Sequence, residues 1–157
     1  MTTGAVDRVR TVFDFWWQKP EFVDVLDCAE LPPKRYRRAE LTGAILLTVN
    51  GVTVFDEGLI SDIPLLWGFV ADLVAEYREN GRGRTRFPDQ SIEISLEPVP
   101  RKLLRITVAG GDLRRTSVAG EEELLSALAA GGVEFFEKMT ELTGGNYSTE
   151  IRRLTGK

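Results

Sequence analysis

The stretch "LTGAILLTVNGVTVFD", residues 41–56, decides the class of fold, because two runs rich in β-branched side chains flank Asn50-Gly51. Asn-Gly accepts the positive φ values of a type I′ turn, whose twist suits the strands it joins, so the stretch reads as a β-hairpin. A two-residue loop sets Val49 opposite Val52 and Leu47 opposite Val54 on one face, with Thr48 opposite Thr53 and Leu46 opposite Phe55 on the other. Both faces carry apolar pairs, which places the hairpin inside a sheet that is covered on more than one side.

Working outward, the segment 62–80 reads as one long central helix. Ile63, Leu66, Val70, Leu73, Val74 and Tyr77 recur at three- and four-residue steps, and Trp67 and Phe69 widen the stripe. Asp62 is placed to cap its start, Pro64 sits in the first turn where a missing N–H costs nothing, and Asn80-Gly81 supplies a left-handed stop. Residues 91–118 then read as an antiparallel meander. "SIEISLE" alternates Ile92, Ile94 and Leu96 with Glu93, Ser95 and Glu97, "KLLRITVA" holds Leu104, Ile106 and Val108 on one face, and "DLRRTSV" follows Gly110-Gly111. Pro98-Val99-Pro100 is expected to end a ladder, since proline has no N–H to give it.

The C-terminal third reads as helices over 120–143 and 147–154, the first opening on Glu121, Glu122 and Glu123 against the positive end of its dipole. Leu124, Leu128, Phe135, Met139 and Leu142 share one stripe across Gly131-Gly132. Two glycines inside a helix cost roughly 2 kcal/mol relative to alanine, so a break or sharp kink is expected there. At the other end, "RTVFDFWW" fits either period, and its β-branched and aromatic content favours a strand from Thr11 to Trp17. The whole is an α+β fold: an antiparallel sheet of five or six strands packed with the 62–80 helix and the C-terminal helices, in a single domain over 1–157.

The 157-residue length is enough to bury about 68 to 70% of the unfolded surface. One cysteine, Cys28, allows no internal disulfide, and "MTTGAVDRVR" has no apolar run of the kind a signal peptide needs, so a cytoplasmic setting is expected. No apolar segment approaches the ~20 residues that span a bilayer. Histidine is absent, which removes the commonest general base and the usual metal ligand, so neither a metal nor a cofactor is expected.

The net charge of −4 argues against a general nucleic-acid binder, yet from Arg82 to Arg115 there are eight Arg/Lys against four Asp/Glu. Within that region "ENGRGRTRFPDQ" places Arg82, Arg84 and Arg86 at period two, so an extended chain projects them from one face. A dinucleotide loop needs a strand before its glycines and a helix after them, and here the order is reversed. Two readings remain: an edge strand guarded by charge, and an anion-facing ribbon, with Phe87 beside it either to stack on a base or, the favoured reading, to plug the core. A second cluster, "PPKRYRR", sets Lys34, Arg35, Arg37 and Arg38 around Tyr36, a pattern that suits single-stranded nucleic acid or a solvated loop. Adjacent Trp16 and Trp17 in a strand must face opposite ways, so one of them either is an interface anchor, where helices cover only one side of the sheet, or is buried under the N-terminal connection, the slightly favoured reading. Asp56 with Glu57, and Asp24 with Asp27 and Glu30, are the carboxylates available for acid-base work, although Asp56 and Glu57 read first as a solvated strand end.

A small acidic α+β domain with no catalytic signature resembles, in type alone, the bacterial immunity and accessory proteins that act by masking a partner. The expected function is therefore non-enzymatic protein binding, with Arg82, Arg84 and Arg86 steering an acidic partner and Trp16 or Trp17 anchoring it. Nucleic-acid binding by the clusters 34–38 and 82–86 is the alternative, and a carboxylate-dependent hydrolase the third.

Overall fold

Antiparallel strands and three helices form an α+β fold in a computed structural model that describes residues 6–15, 22–31 and 41–157. The chain order is β1 (Arg10–Asp14), β2 (Phe22–Asp24), a 3-10 turn (Val25–Asp27), β3 (Thr42–Val49), β4 (Val52–Phe55), β5 (Ser61–Asp62) and α1 (Ile63–Asn80). There follow β6 (Gly83–Arg86), β7 (Glu93–Val99), β8 (Leu103–Gly110), β9 (Leu113–Gly120), α2 (Glu121–Thr143) and α3 (Ser148–Thr155). The strands divide between two sheets, β2-β1-β3-β4 with β5 pairing β3, and β6-β7-β8-β9. Among the described residues no helix is long and apolar enough to cross a membrane.

The hairpin forms around Asn50 (φ 50) and Gly51 (φ 82), and its first two pairs, Val49 with Val52 and Thr48 with Thr53, are those expected. Beyond them the register shifts, so that Leu47 faces Phe55 instead of Val54. One extra residue on β4 makes a bulge, and Val54 and Phe55 are both buried, which strict alternation against a single core would forbid.

Helix α1 begins and ends as its sequence dictates. The Asp62 carboxylate accepts from the Leu65 N–H at 3.4 Å, and Gly81 (φ 80) closes the helix by donating to the Tyr77 carbonyl at 2.8 Å. Burial raises the pKa of Asp62, opposed by the Leu65 N–H and reinforced by the charge of Asp89. Trp67 is fully buried, and its indole N–H donates to Thr11 Oγ1 on β1 at 2.9 Å. An aromatic surface of this size removed from water contributes roughly 4 kcal/mol, provided its one donor is satisfied.

Helix α2 runs unbroken through Gly131 and Gly132, against expectation. A Cβ on Gly131 would lie 2.6 Å from Val9 Cβ, and one on Gly132 would lie 2.9 Å from the Trp67 ring. The glycines thus let the helix approach β1 and α1 closely, and that packing outweighs their poor propensity. Proline is tolerated too: Pro98 pairs with Leu104 inside the β7-β8 ladder. β6 covers only Glu93–Leu96 of β7, so Pro98 lies where β7 has a free edge.

The two sheets are tied by inward-facing side chains of β9. Ser117 Oγ on β9 donates to the Val49 carbonyl at 2.7 Å, and Arg115 Nη1 lies 3.1 Å from Asp56 Oδ2 at the end of β4. Helix α1 packs behind the second sheet so tightly that a Cβ on Gly83 would come within 2.9 Å of the Leu73 carbonyl. Helix α1 covers the inner face of β6 and β7, while α2 and β4 cover that of β8 and β9.

Candidate partner-binding face

The register of the second sheet sorts its side chains without ambiguity. Ile94 and Leu96, with Leu104, Ile106 and Val108, point inward and are buried. The other parity points outward: Arg84 and Arg86 from β6, Glu93, Ser95, Glu97 and Val99 from β7, Leu103, Arg105, Thr107 and Ala109 from β8, and Arg114, Thr116 and Val118 from β9. Arg84, Arg86, Glu93, Arg105, Arg114 and Thr116 are exposed. Arg82, also exposed, precedes β6 and flanks the same edge. On a chain of net charge −4, the outer face carries four arginines and two glutamates, with Arg82 and Glu76 flanking its β6 edge.

The centre of the face is low and hydroxyl-rich. Ser95, Thr107 and Thr116 lie in one row with Arg84, and Thr107 and Thr116 are hydrogen-bonded across 3.0 Å. Val99, Leu103 and Val118, all half-buried, form an aliphatic corner near Arg105. Arg105 and Arg114 were not singled out by the sequence as binding residues. Their signal was present in the alternation of the meander, where both occupy positions opposite in parity to the apolar ones.

The three arginines read as a ribbon do not act as a unit at rest. Arg84 Nε lies 3.6 Å from Glu93 Oε1, while the Arg86 guanidinium sits 6.0 Å above the ring of Phe69 on α1. The Arg84 pair is open to solvent on both sides, 73% and 55% exposed, and a pair of that kind contributes only about 0 to 1 kcal/mol. Either guanidinium can therefore be redirected at little cost. An open cleft of about 290 Å³ lies where β6 begins, lined by Glu76, Arg82, Gly83, Arg84 and the Ser95–Glu97 stretch.

Phe87 is fully buried, its ring 6.0 Å from that of Phe55, and so has no face to offer a base. Its N–H donates to the Ile92 carbonyl at 2.9 Å, extending the β6-β7 ladder, and its shared parity with Gly83 and Thr85 turns the side chain into the core. Trp16, Trp17, Arg35, Tyr36 and Arg37, together with Lys34 and Arg38, lie outside the described residues.

The candidate carboxylates are held in local structure. Asp24 accepts from the Leu26 N–H at 3.0 Å and pairs with Arg10 at 3.0 Å, and Asp56 accepts from the Gly58 N–H at 2.9 Å while facing Arg115. Among the described residues no group of three Asp, Glu or Cys side chains is arranged to hold a metal ion. The Cys28 thiol is buried, which raises its pKa, with the Lys138 charge pulling the other way and Asp24 and Asp27 adding to the rise. A nucleophilic thiolate is disfavoured there.

No protein-family model, no curated protein and no solved structure matches this chain.

Proposed function

We propose that the protein is a non-enzymatic binding module that holds an acidic protein surface against the outer face of the β6-β7-β8-β9 sheet. The observation that carries this reading is the excess of arginine on that face, gathered on a chain that is acidic overall. Arginine is enriched at protein interfaces, and a concentrated positive field speeds encounter with a negative partner. The aliphatic corner of Val99, Leu103 and Val118 supplies apolar contact beside the charge.

The same face favours protein over single-stranded nucleic acid. No outward position of the sheet carries an aromatic side chain on which a base would stack. A partner-masking role of the immunity type fits such a surface, because blocking a partner requires affinity and no chemistry.

The test is recovery of an acidic partner from the native host by the wild-type chain and by an Arg84→Ala, Arg105→Ala, Arg114→Ala variant. The variant should lose the partner, and the wild-type complex should weaken as salt rises toward and beyond physiological strength. Equal recovery by both chains would remove the face from the model. A gel shift with single-stranded or duplex nucleic acid at low salt would favour the alternative.

A further inference from the structure

Among the described residues β6 ends its sheet, and its backbone shows which groups face outward. The Phe87 N–H turns toward β7, so by the alternation of an antiparallel ladder Gly83 and Thr85 do the same, while Arg84 and Arg86 direct their N–H and C=O groups to the open edge. The Arg84 N–H is occupied by a side chain: Glu76 Oε1 on α1 accepts from it at 3.0 Å. Natural sheets blunt exposed edges in this way, and a carboxylate on an exposed helical glutamate is a removable plug.

We infer that the open edge of β6 receives an extended acidic segment of the partner as an added antiparallel strand, which displaces Glu76 from the Arg84 N–H. This rests on the reading of the arginine face as a site for an acidic protein, and adds how the partner engages it. Strand addition takes affinity from main-chain hydrogen bonds and specificity from alternate side chains. In an antiparallel pair, residues directly opposite one another share a face. The residues opposite Arg84 and Arg86 therefore place their side chains beside the two guanidinium groups, and their own N–H groups point at β6. Acidic residues at alternate positions satisfy both conditions. A second copy of this chain does not fit, because two β6 edges would set arginines against arginines.

The probe is a blocked peptide of alternating valine and glutamate, titrated at low salt with the amide resonances of Arg84 and Arg86 followed. Three forms separate the edge from simple charge: unmodified, N-methylated at every glutamate, and N-methylated at every valine. Methylation at glutamate should abolish binding, since those N–H groups face β6, and methylation at valine should leave it within a factor of about two. Glu76→Ala should tighten binding by roughly threefold to tenfold, the worth of one competing hydrogen bond. Equal binding of all three peptides would overturn strand addition and leave charge recognition by the face standing. No binding by any of them would also overturn it, and the arginine variants in the partner-recovery experiment would then decide the broader reading separately.

Discussion

The indole N–H of Trp67 and the hydroxyl of Thr11 meet at 2.9 Å in a region closed to water, joining α1 to β1. Thr11→Val keeps the shape of the side chain and removes the acceptor. The buried donor left behind should cost about 1 to 3 kcal/mol, read as a lower urea midpoint at unchanged slope. A variant as stable as the parent would mean that the indole has another acceptor.

Two helical glycines should respond differently to alanine. A Cβ at Gly68 in α1 meets nothing within 4 Å, so Gly68→Ala should gain close to the helix-propensity difference of about 1 kcal/mol. At Gly131 the new methyl would strike Val9 Cβ, an atom fixed to its backbone, and overpacking of about 1 to 3 kcal/mol should exceed that gain. Thermal denaturation of the two variants should move in opposite directions. Parallel shifts would contradict the close packing of α2 on Val9.

Tyr77 Oη donates to Glu121 Oε2 at 2.6 Å, and burial, followed by this bond and the glutamate's charge, raises the phenol well above its ordinary range. A raised folded-state pKa contributes stability that is fully present below the unfolded value, about 10, and is lost as pH climbs from there toward the folded one. Stability should therefore fall as pH rises above about 10. Tyr77→Phe should lower stability by about 1 to 2 kcal/mol at neutral pH and make the alkaline fall shallower. Identical slopes for the two proteins would sink this account.

Cys28 is 6% exposed, and burial disfavours its thiolate. A thiol reagent at mildly alkaline pH should label the native chain slowly, with the rate rising sharply across the denaturant transition. Rapid labelling under native conditions would show that the 3-10 turn opens independently of the rest.

Most elements were legible in the sequence because their signals are local. Asn50-Gly51 fixes a turn, Asp62 and Gly81 bracket a helix, and the alternation of Ile92, Ile94 and Leu96 marks a buried strand face. What escaped depended on contacts distant along the chain. The glycines of α2 read as a break until Val9 and Trp67 are seen against them, and the bulge at β4 follows from burying Val54 and Phe55 together. The division into two sheets turns on how β9 meets the first hairpin, through Ser117 against the end of β3 and Arg115 against the end of β4, which no window of residues displays. For the candidate face, the period of Arg82, Arg84 and Arg86 was plain. Their resting partners Glu76, Glu93 and Phe69 come from a neighbouring helix and strand, and Arg105 and Arg114 join them only once the register is known.

The contact between Val9 and Gly131 also orders events during synthesis. The residue just ahead of the first strand waits for its cover until the ribosome has added more than a hundred further amino acids. The 83–120 meander, whose strands pair in sequence order, has by then been synthesised with all its pairing partners. A chain truncated before α2 would thus keep the pairing partners of its second sheet while leaving Val9 without the helix that packs on it, an exposed apolar site of the kind that chaperones recognise.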